Sequence, residues 1–483
     1  MNAQGHEPRP IGPRSRKREP GPNPRASADS EWRICVRSGI ARVKAGQPQD
    51  ALPLLRRASV LRADHIPTLQ ALASALLRAG EAEAALNTFD RALTLAPGQA
   101  DTLHGRGLAL LKLQDRSGAL IAFRAAAASD PNAWKSWGSI ADITPHEGER
   151  LDAIHRTADT LEAHCRERDA APALYTECVT ALLDAHRPED AVAFTCEMQP
   201  RFCDEATAYD ALGRAHYYMG AYRAAFEHKA RALALSPAPT AQAPLAFSPG
   251  AATDALREIG RILTSHAISF FLAAGTLLGF YREGGPLPHD RDVDIGVMRT
   301  SDGGPDIAGI FRTHPDLILK RRARPGDRYF ALMHKGIGID IFVHDKIDDH
   351  LVCGVSDLNG DIQWRFTPFE IAEARFNGEV WAIPDTTERY LAESYGPDWR
   401  RPDTGFASAI SSPALYMVDS YVRAFYSSAR AKNALASGDR MKAEALIRQS
   451  PIPLFLNAPK GALTSSSKRD NGADSNALSL PDG

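Results

Sequence analysis

The sequence predicts an all-α repeat solenoid followed by a domain of α/β or α+β type. Small and apolar residues recur at a spacing of 34 positions through the first half of the chain, as from Ala51 to Ala85. Three prolines within residues 236–244 then break the helical pattern, and short apolar strands alternate with helical stretches beyond them. A chain of 483 residues also exceeds one ordinary core, so at least two domains are expected.

Composition and charge exclude several classes of function. The chain has 57 Lys and Arg against 59 Asp and Glu residues, whereas a general nucleic-acid binder usually shows a basic excess. No apolar run reaches the roughly 18 residues that a membrane span needs, and no apolar stretch follows the basic N-terminal residues, as a secretory signal would require. We therefore expect a cytoplasmic protein without a nucleic-acid partner. Its six cysteines, which form no C-x-x-C pair, are predicted to be reduced thiols.

The two ends of the chain differ from the rest in composition. Residues 1–30 are rich in Pro, Arg, Gly and Ser, so they cannot bury enough apolar surface to offset the entropy of ordering. The same reasoning applies to residues 451–483, and both ends are predicted to be disordered. The organisation predicted between them is repeats over 31–237, a linker over 238–253, an α/β or α+β domain over 254–412 and helices over 413–450.

The repeats are defined by aligning the chain with itself at an offset of 34 residues. The coinciding positions are Ala51 with Ala85, Ala119 and Ala153, Leu55 with Phe89 and Phe123, and Gly39 with Ala73 and Gly107. Small residues let two antiparallel helices approach closely and large ones fill the groove between pairs, so several units must stack. The pattern resembles tetratricopeptide repeats, about five or six over residues 32–237, and such repeats can bind a protein partner. Only the stretch 134–170 fits the register poorly.

Three segments of the second half carry candidate chemistry, and the first is a glycine turn. Residues 274–279 read AGTLLG, directly after a predicted strand at 268–273. A glycine and a small hydroxyl residue before a helix expose N–H groups that can hold a phosphate, which makes Gly275 and Thr276 candidate substrate-binding residues. The alternative is an ordinary strand-to-helix turn.

The second segment, residues 288–296, reads PHDRDVDIG. Residues two apart in an extended chain share a face, so Asp290, Asp292 and Asp294 are expected to point the same way. Carboxylates this close repel one another unless a cation lies between them, and hard oxygen ligands favour Mg²⁺ or Mn²⁺. A solvated edge strand or a turn is the alternative, but Val293 and Ile295 indicate a buried opposite face.

The third segment, residues 338–343, reads GIDIFV and places Asp340 alone among apolar residues of a predicted strand. An acid in that setting is costly to bury unless it is paired or bound to a metal ion; a local hydrogen bond at the strand end is the alternative. A glycine turn, a D-x-D pair and an acid on a neighbouring strand follow the layout of the nucleotidyltransferase fold, whose carboxylates hold metal ions that clamp a phosphate.

Four stretches together resemble the LicD family, which includes bacterial phosphocholine transferases and is related to the fukutin group of sugar-phosphate transferases. They are FFLAAGTLLGFYR at 270–282, PHDRDVDIG at 288–296, VWAIP at 380–384 and YLAESYGPDW at 390–399. The resemblance extends over residues 255–403. It departs from the family pattern W-D-D-D-I-D at His289, which either fills an aromatic slot or acts as a base, and at Arg291, which replaces the middle acid.

The resemblance implies roles for the acidic residues. Asp292 and Asp294 are implied as metal ligands, and Asp340 as a third ligand or the general base. Asp290 is implied as a further catalytic acid.

The resemblance also implies which residues hold the substrate. Gly275 and Thr276 would hold phosphate through an N–H group and a hydroxyl. Arg282 is spaced to reach a phosphate with its fork of donors, and a surface cation is its alternative. Residues 328–335 are a further source of a cation or a base.

The implied reaction is a metal-dependent transfer of a substituted phosphate from a nucleoside-diphosphate-activated donor to a glycan hydroxyl, releasing a nucleoside monophosphate. CDP-choline or a CDP-alditol is the donor class, and a cell-surface glycan is the acceptor. Two alternatives stay open. One is a repeat scaffold carrying a degenerate, non-catalytic domain, which the replacements at His289 and Arg291 favour. The other is nucleotidyl transfer to a small molecule.

Overall fold

The chain folds as two compact units, residues 1–136 and 137–483, and the division falls inside a repeat helix. A computed structural model describes residues 24–236, 247–288, 290, 292–300 and 306–456.

The first unit is a stack of antiparallel helix pairs. Its helices are α1 (Pro24–Lys44), α2 (Pro48–Leu61), α3 (Ile66–Arg78), α4 (Ala82–Leu95), α5 (Ala100–Lys112) and α6 (Arg116–Ser129). Helix α1 begins inside the segment 1–30, for which composition predicts disorder, because Trp32 anchors it. The indole N–H of Trp32 donates to the Thr68 hydroxyl at 3.2 Å, and the Arg62 guanidinium lies 3.9 Å from its ring centre. Residues 1–23 lie outside the described part of the chain.

Glycines at the predicted small positions bring paired helices together. A Cβ atom at Gly39 would lie 2.6 Å from Leu55 Cγ, and one at Gly107 would lie 2.5 Å from Phe123 Cε1. Leu55 and Phe123 are both fully buried. The predicted pattern of small residues facing large apolar ones is confirmed, because any side chain larger than hydrogen would overlap its partner.

Six further repeat helices follow, almost entirely within the second unit, and the first of them begins at Trp134. They are α7 (Trp134–Ile143), α8 (Glu147–Glu167), α9 (Pro172–Asp184), α10 (Pro188–Met198), α11 (Glu205–Tyr218) and α12 (Tyr222–Leu235). Helix α8 has 21 residues, whereas α4 and α6 have 14 each. This difference in length explains why the 34-residue register fits poorly around 134–170. Most of the proline-rich linker lies outside the described residues.

The rest of the second unit combines a sheet with flanking helices, as the sequence predicts. Its helices are α13 (Pro249–Ser265), α14 (Ala274–Glu283), α15 (Ile307–Thr313), α16 (Thr387–Tyr395), α17 (Ser408–Ser411), α18 (Ser420–Ala436) and α19 (Arg440–Arg448). Its strands are β1 (Phe270–Leu272), β2 (Asp292–Met298), β3 (Leu317–Leu319), β4 (Tyr329–His334), β5 (Ile337–Ile347), β6 (His350–Gly354), β7 (Gln363–Phe366), β8 (Ile371–Phe376) and β9 (Glu379–Pro384).

The main sheet has the strand order β1-β2-β5-β4-β3. Strands β2 and β5 run parallel, and the other pairs of this sheet are antiparallel. The far end of β5 pairs with β6, which pairs with β7, while β8 and β9 form a separate hairpin. All three strands predicted from the sequence are present, so the mixed α/β character of this domain is confirmed.

The two faces of the main sheet differ in burial. Val293 and Ile295 of β2 and Ile339 of β5 are fully buried, in one apolar cluster with Leu256 and Ile259 of helix α13. The alternate residues of the same strands face the other side and include the predicted carboxylates. We call this second side the open face.

Two further expectations concern membranes and cysteines. Within the described residues, no helix has the length and apolar character that a membrane span requires. All six cysteines are free thiols, which agrees with the prediction from their spacing.

Candidate active site

The parallel pairing of β2 with β5 brings acidic side chains together. Asp294 is in register with Asp340, and Asp292 is in register with Gly338. Residues paired across neighbouring strands point to the same side of a sheet. Asp292 is exposed and Asp294 and Asp340 are half-buried, whereas the adjacent residues Val293, Ile295, Ile339 and Ile341 are buried. The three predicted carboxylates therefore share the open face.

The glycine turn holds Asp294 in place. The N–H group of Gly275 donates to Asp294 Oδ2 at 3.0 Å, and the Thr276 hydroxyl accepts from the N–H group of Asp294 at 2.7 Å. Ala274, just before them, has a φ of 41°, a left-handed conformation that costs free energy in a residue with a Cβ atom. In this structure the two groups predicted to hold phosphate fix the first turn of α14 onto β2.

Gly275 lies at the centre of the site. A Cβ atom there would lie 3.2 Å from Asp294 Oδ2, 3.9 Å from the Tyr395 hydroxyl and 4.0 Å from Asp290 Oδ1. Asp290 thus lies near the carboxylates of β2 and β5 although it precedes the strand. The close approach explains why glycine occupies this position.

Burial and crowded negative charge together determine the electrostatics of the site. Burial raises the pKa of Asp294 well above its usual range, and the charges of Asp292, Asp340 and Asp290 raise it further. The hydrogen bond from Gly275 opposes this rise without cancelling it. A divalent cation would reverse the balance, because its charge favours the ionised carboxyl.

The pKa of Asp340 is raised by the same two causes, but more groups act to lower it. Burial and the charge of Asp292 raise its pKa to about 6. The Tyr329 hydroxyl donates to Asp340 Oδ1 at 2.8 Å, and this bond, together with the cations Lys320 and Arg430, acts to lower the pKa.

Arg282 hydrogen-bonds backbone carbonyl groups in this structure. Its guanidinium donates to the carbonyl oxygens of Trp399 and Arg401, the second at 2.9 Å. These bonds fasten the segment after α16 to helix α14. A role for Arg282 in binding phosphate stays a prediction, as it does for Gly275 and Thr276.

The segment 328–335 contributes a phenol to the site. Arg328 donates to the Asp345 carboxylate at 3.1 Å and to the Val352 carbonyl at 3.3 Å. His334 is buried, and burial lowers its pKa. Tyr329 instead bonds Asp340. His289 and Arg291, the two departures from the family pattern, lie outside the described residues.

Comparison with known proteins identifies the domain. The model of the LicD/FKTN/FKRP nucleotidyltransferase domain matches residues 267–311, which contain the glycine turn and strand β2. The chain carries a LicD-family domain. A tetratricopeptide-repeat model matches residues 42–106, so both resemblances drawn from the sequence are confirmed.

Curated relatives of the chain include transferases. The ribitol-5-phosphate transferase FKTN of Mus musculus is 28% identical over 156 residues, 31% of this chain and 33% of that protein. FKTN of Homo sapiens is 26% identical over the same length, and a Caenorhabditis elegans protein is 28% identical over 163 residues, 31% of this chain and 42% of that protein. The chain thus spans about a third of the FKTN proteins that it matches.

Solved structures with helical repeats also resemble part of the chain. A tetratricopeptide repeat protein from Parabacteroides merdae gives a TM-score of 0.28 at 18% identity, covering 43% of this chain and 79% of that one. Pseudomonas aeruginosa pilF gives 0.32 at 14% identity, covering 42% and 91%. TM-scores this low do not establish a shared fold. The repeats are identified by their 34-residue register and by the family model.

The donor set of the LicD domain suits a hard divalent cation. Across the described ranges, from residue 24 to residue 456 with their gaps, no three His, Cys, Asp or Glu side chains form a ready-made metal cage. Mg²⁺ usually needs only one or two carboxylates, because waters and substrate phosphates complete its octahedron. Asp294, Asp340 and Asp292 offer such oxygens on one face, and their mutual repulsion favours a cation.

Sequence reasoning missed the tyrosines of the LicD domain. Tyr329 donates to Asp340, the hydroxyl of Tyr390 accepts from the Ala274 N–H group at 3.4 Å, and Tyr395 lies beside Gly275. Tyr390 and Tyr395 lie in the closing motif at 390–399, and this motif could have indicated them.

Proposed function

We propose that the LicD domain transfers a substituted phosphate from a CDP-activated donor to a glycan hydroxyl, with Mg²⁺ or Mn²⁺ as cofactor. The observation that carries this proposal is the in-register pair Asp294 and Asp340, with Asp292 beside it, on the open face. Such a cluster is suited to share a divalent ion with the diphosphate of a donor. The cytoplasmic location expected from the sequence stays part of the proposal.

Each carboxylate has a distinct task in this reaction. Asp292 and Asp294 would hold the ion, which when bound would withdraw charge from the phosphate under attack. The acceptor oxygen forms a bond to phosphorus, the bond from phosphorus to the nucleoside monophosphate breaks, and the hydroxyl proton passes to a carboxylate. Asp340 takes that proton unless it serves as a third ligand, and the Tyr329 hydrogen bond fixes its orientation. Asp290 lies close enough to assist either role.

The choice of donors to test is based on the names of the curated relatives. Two of them are named ribitol-5-phosphate transferases, which supports a CDP-alditol as the first donor to test and CDP-choline as the second. A glycan hydroxyl is the proposed acceptor, and the repeats supply a surface for a protein partner.

The test is a double substitution, Asp292→Asn with Asp294→Asn, in the full chain. Release of nucleoside monophosphate from CDP-ribitol and CDP-choline would be measured with glycan acceptors, with and without Mn²⁺. Wild type should release it only with metal, and the double variant should release none. The matched control is Asp348→Asn with Asp349→Asn, which removes two charges from the exposed turn after β5.

The outcomes separate the competing functions. Full activity in the Asp292/Asp294 variant would reject the proposed site. No thermal response of wild type to Mg²⁺ or Mn²⁺ would favour the scaffold with a degenerate domain. Attachment of the labelled nucleotide to an acceptor, instead of its release, would establish nucleotidyl transfer.

The two roles left for Asp340 differ in their dependence on metal. If Asp340 is the general base, Asp340→Asn should keep metal-dependent thermal stabilisation and lose turnover. If it is a ligand, the same variant should lose both.

A further inference from the structure

Beside the carboxylates, the open face continues onto strands that the proposed reaction has not yet used. Strand β4 pairs with β5 so that Ala331 lies opposite Asp340. Strand β3 pairs with β4, and just beyond its end the N–H group of Lys320 donates to the Ala331 carbonyl at 3.2 Å. Asp294, Asp340, Ala331 and Lys320 therefore form one row across the sheet.

Burial shows on which side of the sheet this row lies. In β3, Leu317 and Leu319 are buried while Ile318 is 65% exposed, and Lys320 continues the alternation as an exposed residue. In β4 the buried residues likewise alternate with Ala331, which is half-buried. Lys320 is thus on the open face with the carboxylates.

The spacing of the row fits a phosphate group between its charged ends. Two strand separations, roughly 10 Å, lie between the backbones of Asp340 and Lys320. The side chain between them is the methyl group of Ala331, so the surface there is shallow. A lysine ammonium on its flexible stem binds phosphate as a point charge, and Lys320 also interacts electrostatically with Asp340.

The segment that follows Lys320 is firmly held by repeat helices of the same unit. The Arg321 guanidinium pairs with both carboxylate oxygens of Asp142 at 2.6 and 2.7 Å. Arg150, which is fully buried, donates to the carbonyl oxygens of Arg321 at 2.8 Å and Ala323 at 3.0 Å. These bonds hold the backbone directly after Lys320, so the point from which its flexible side chain extends is set before any ligand binds.

We infer that Lys320 binds the diphosphate of the donor, at the end of the row opposite the metal-binding carboxylates. This inference rests on the proposed function, since it assumes that a phosphate lies over Asp294 and Asp340. It adds a substrate-binding cation that stands outside the stretches resembling the LicD family motifs. It also assigns the phosphate role to an exposed side chain whose ammonium group makes no hydrogen bond within the described part of the chain.

The test measures binding of inorganic pyrophosphate to the full chain by calorimetry, with and without Mn²⁺. Lys320→Ala should weaken Mn²⁺-dependent binding roughly tenfold or more, because a hydrogen bond to a charged group is lost. Lys320→Arg should restore most of it. Lys346→Ala is the matched control: Lys346 is also exposed, on β5, and lies six residues beyond Asp340, roughly 20 Å along the strand.

The outcomes distinguish this inference from the proposed function. Unchanged pyrophosphate binding in Lys320→Ala, with binding lost in the Asp292/Asp294 double variant, would overturn the role of Lys320 and leave the proposed function standing. If wild type shows no Mn²⁺-dependent binding of pyrophosphate, both the role of Lys320 and the proposed function are rejected. Orthophosphate is measured in parallel: if Lys320→Ala loses orthophosphate binding but keeps pyrophosphate binding, Lys320 belongs to a separate phosphate site and its link to the donor is overturned.

Discussion

Replacing Asp340 by Asn, which removes one carboxyl charge from the site, should make the protein more stable and abolish its activity. In wild type the pKa of Asp340 rises from 3.8 to about 6 on folding, which corresponds to roughly 3 kcal/mol of lost stability once the group is ionised, at 1.36 kcal/mol per pKa unit. Asp340→Asn removes that cost, while the amide oxygen still accepts from Tyr329. Part of the gain is offset by the new amide N–H groups, so we expect a stabilisation of about 1 to 3 kcal/mol at pH 7.5.

The sign of the pH dependence follows from the raised pKa. Below about pH 4 the carboxyl is protonated in the folded and unfolded chains, so Asp340 does not lower the free energy of unfolding. Between about pH 4 and pH 6 this carboxyl loses its proton in the unfolded chain but keeps it in the folded chain, so the contribution of Asp340 to wild-type stability falls as the pH rises. The difference between Asp340→Asn and wild type should therefore grow over this range and then level off.

Urea unfolding followed by tryptophan fluorescence, in EDTA at pH 4 and pH 7.5, measures this difference. Asp349→Asn, in an exposed turn, is the control and should show no such growth. A variant that is less stable than wild type at pH 7.5, or equally shifted at both pH values, would refute the electrostatic reasoning. If Asp340 is a metal ligand, added Mn²⁺ should narrow the difference by stabilising wild type alone; if it is the general base, Mn²⁺ should stabilise both proteins and leave the difference unchanged.

Three other substitutions probe the packing and hydrogen bonds described above. Gly107→Val forces a Cβ atom to within 2.5 Å of Phe123 and should destabilise the first unit by roughly 1–3 kcal/mol in thermal denaturation. Thr276→Val leaves the Asp294 N–H group without its acceptor, which should cost about 1–3 kcal/mol, and Thr276→Ser should recover most of it. Arg150→Met removes the donors that hold the segment after Lys320, so trypsin should cut within residues 321–324 faster than in wild type.

The carboxylate cluster could be predicted because its signals are local. Alternation along β2 places Asp292 and Asp294 on one face, and the apolar flanks of Asp340 mark a neighbouring strand. Parallel pairing of these strands is typical of a mixed sheet. The repeat stack could be predicted equally well, since each small residue and its large apolar partner recur with one period.

The position of Lys320 could not be predicted from local pattern. Lys320 reaches the open face only through the pairing of β3 with β4, and β3 has three residues, too few for a periodic signal. Arg150 contacts the carbonyl of Arg321 across 171 positions of sequence. No spacing rule connects residues that meet only in the folded chain.

The later repeat helices belong to the same compact unit as the sheet domain. Tyr217 of α11 donates to the buried Asp361, and Lys432 of α18 donates to Asp210 of α11 at 2.9 Å. These bonds join the helices to the sheet domain at a second place, far in sequence from the Arg150 contacts. Because α8 holds the backbone that carries Lys320, a ligand that moves this helix changes the position of that ammonium group. Partner binding on these repeats would then be coupled to donor binding, and by linkage the donor would alter the affinity for the partner by the same factor.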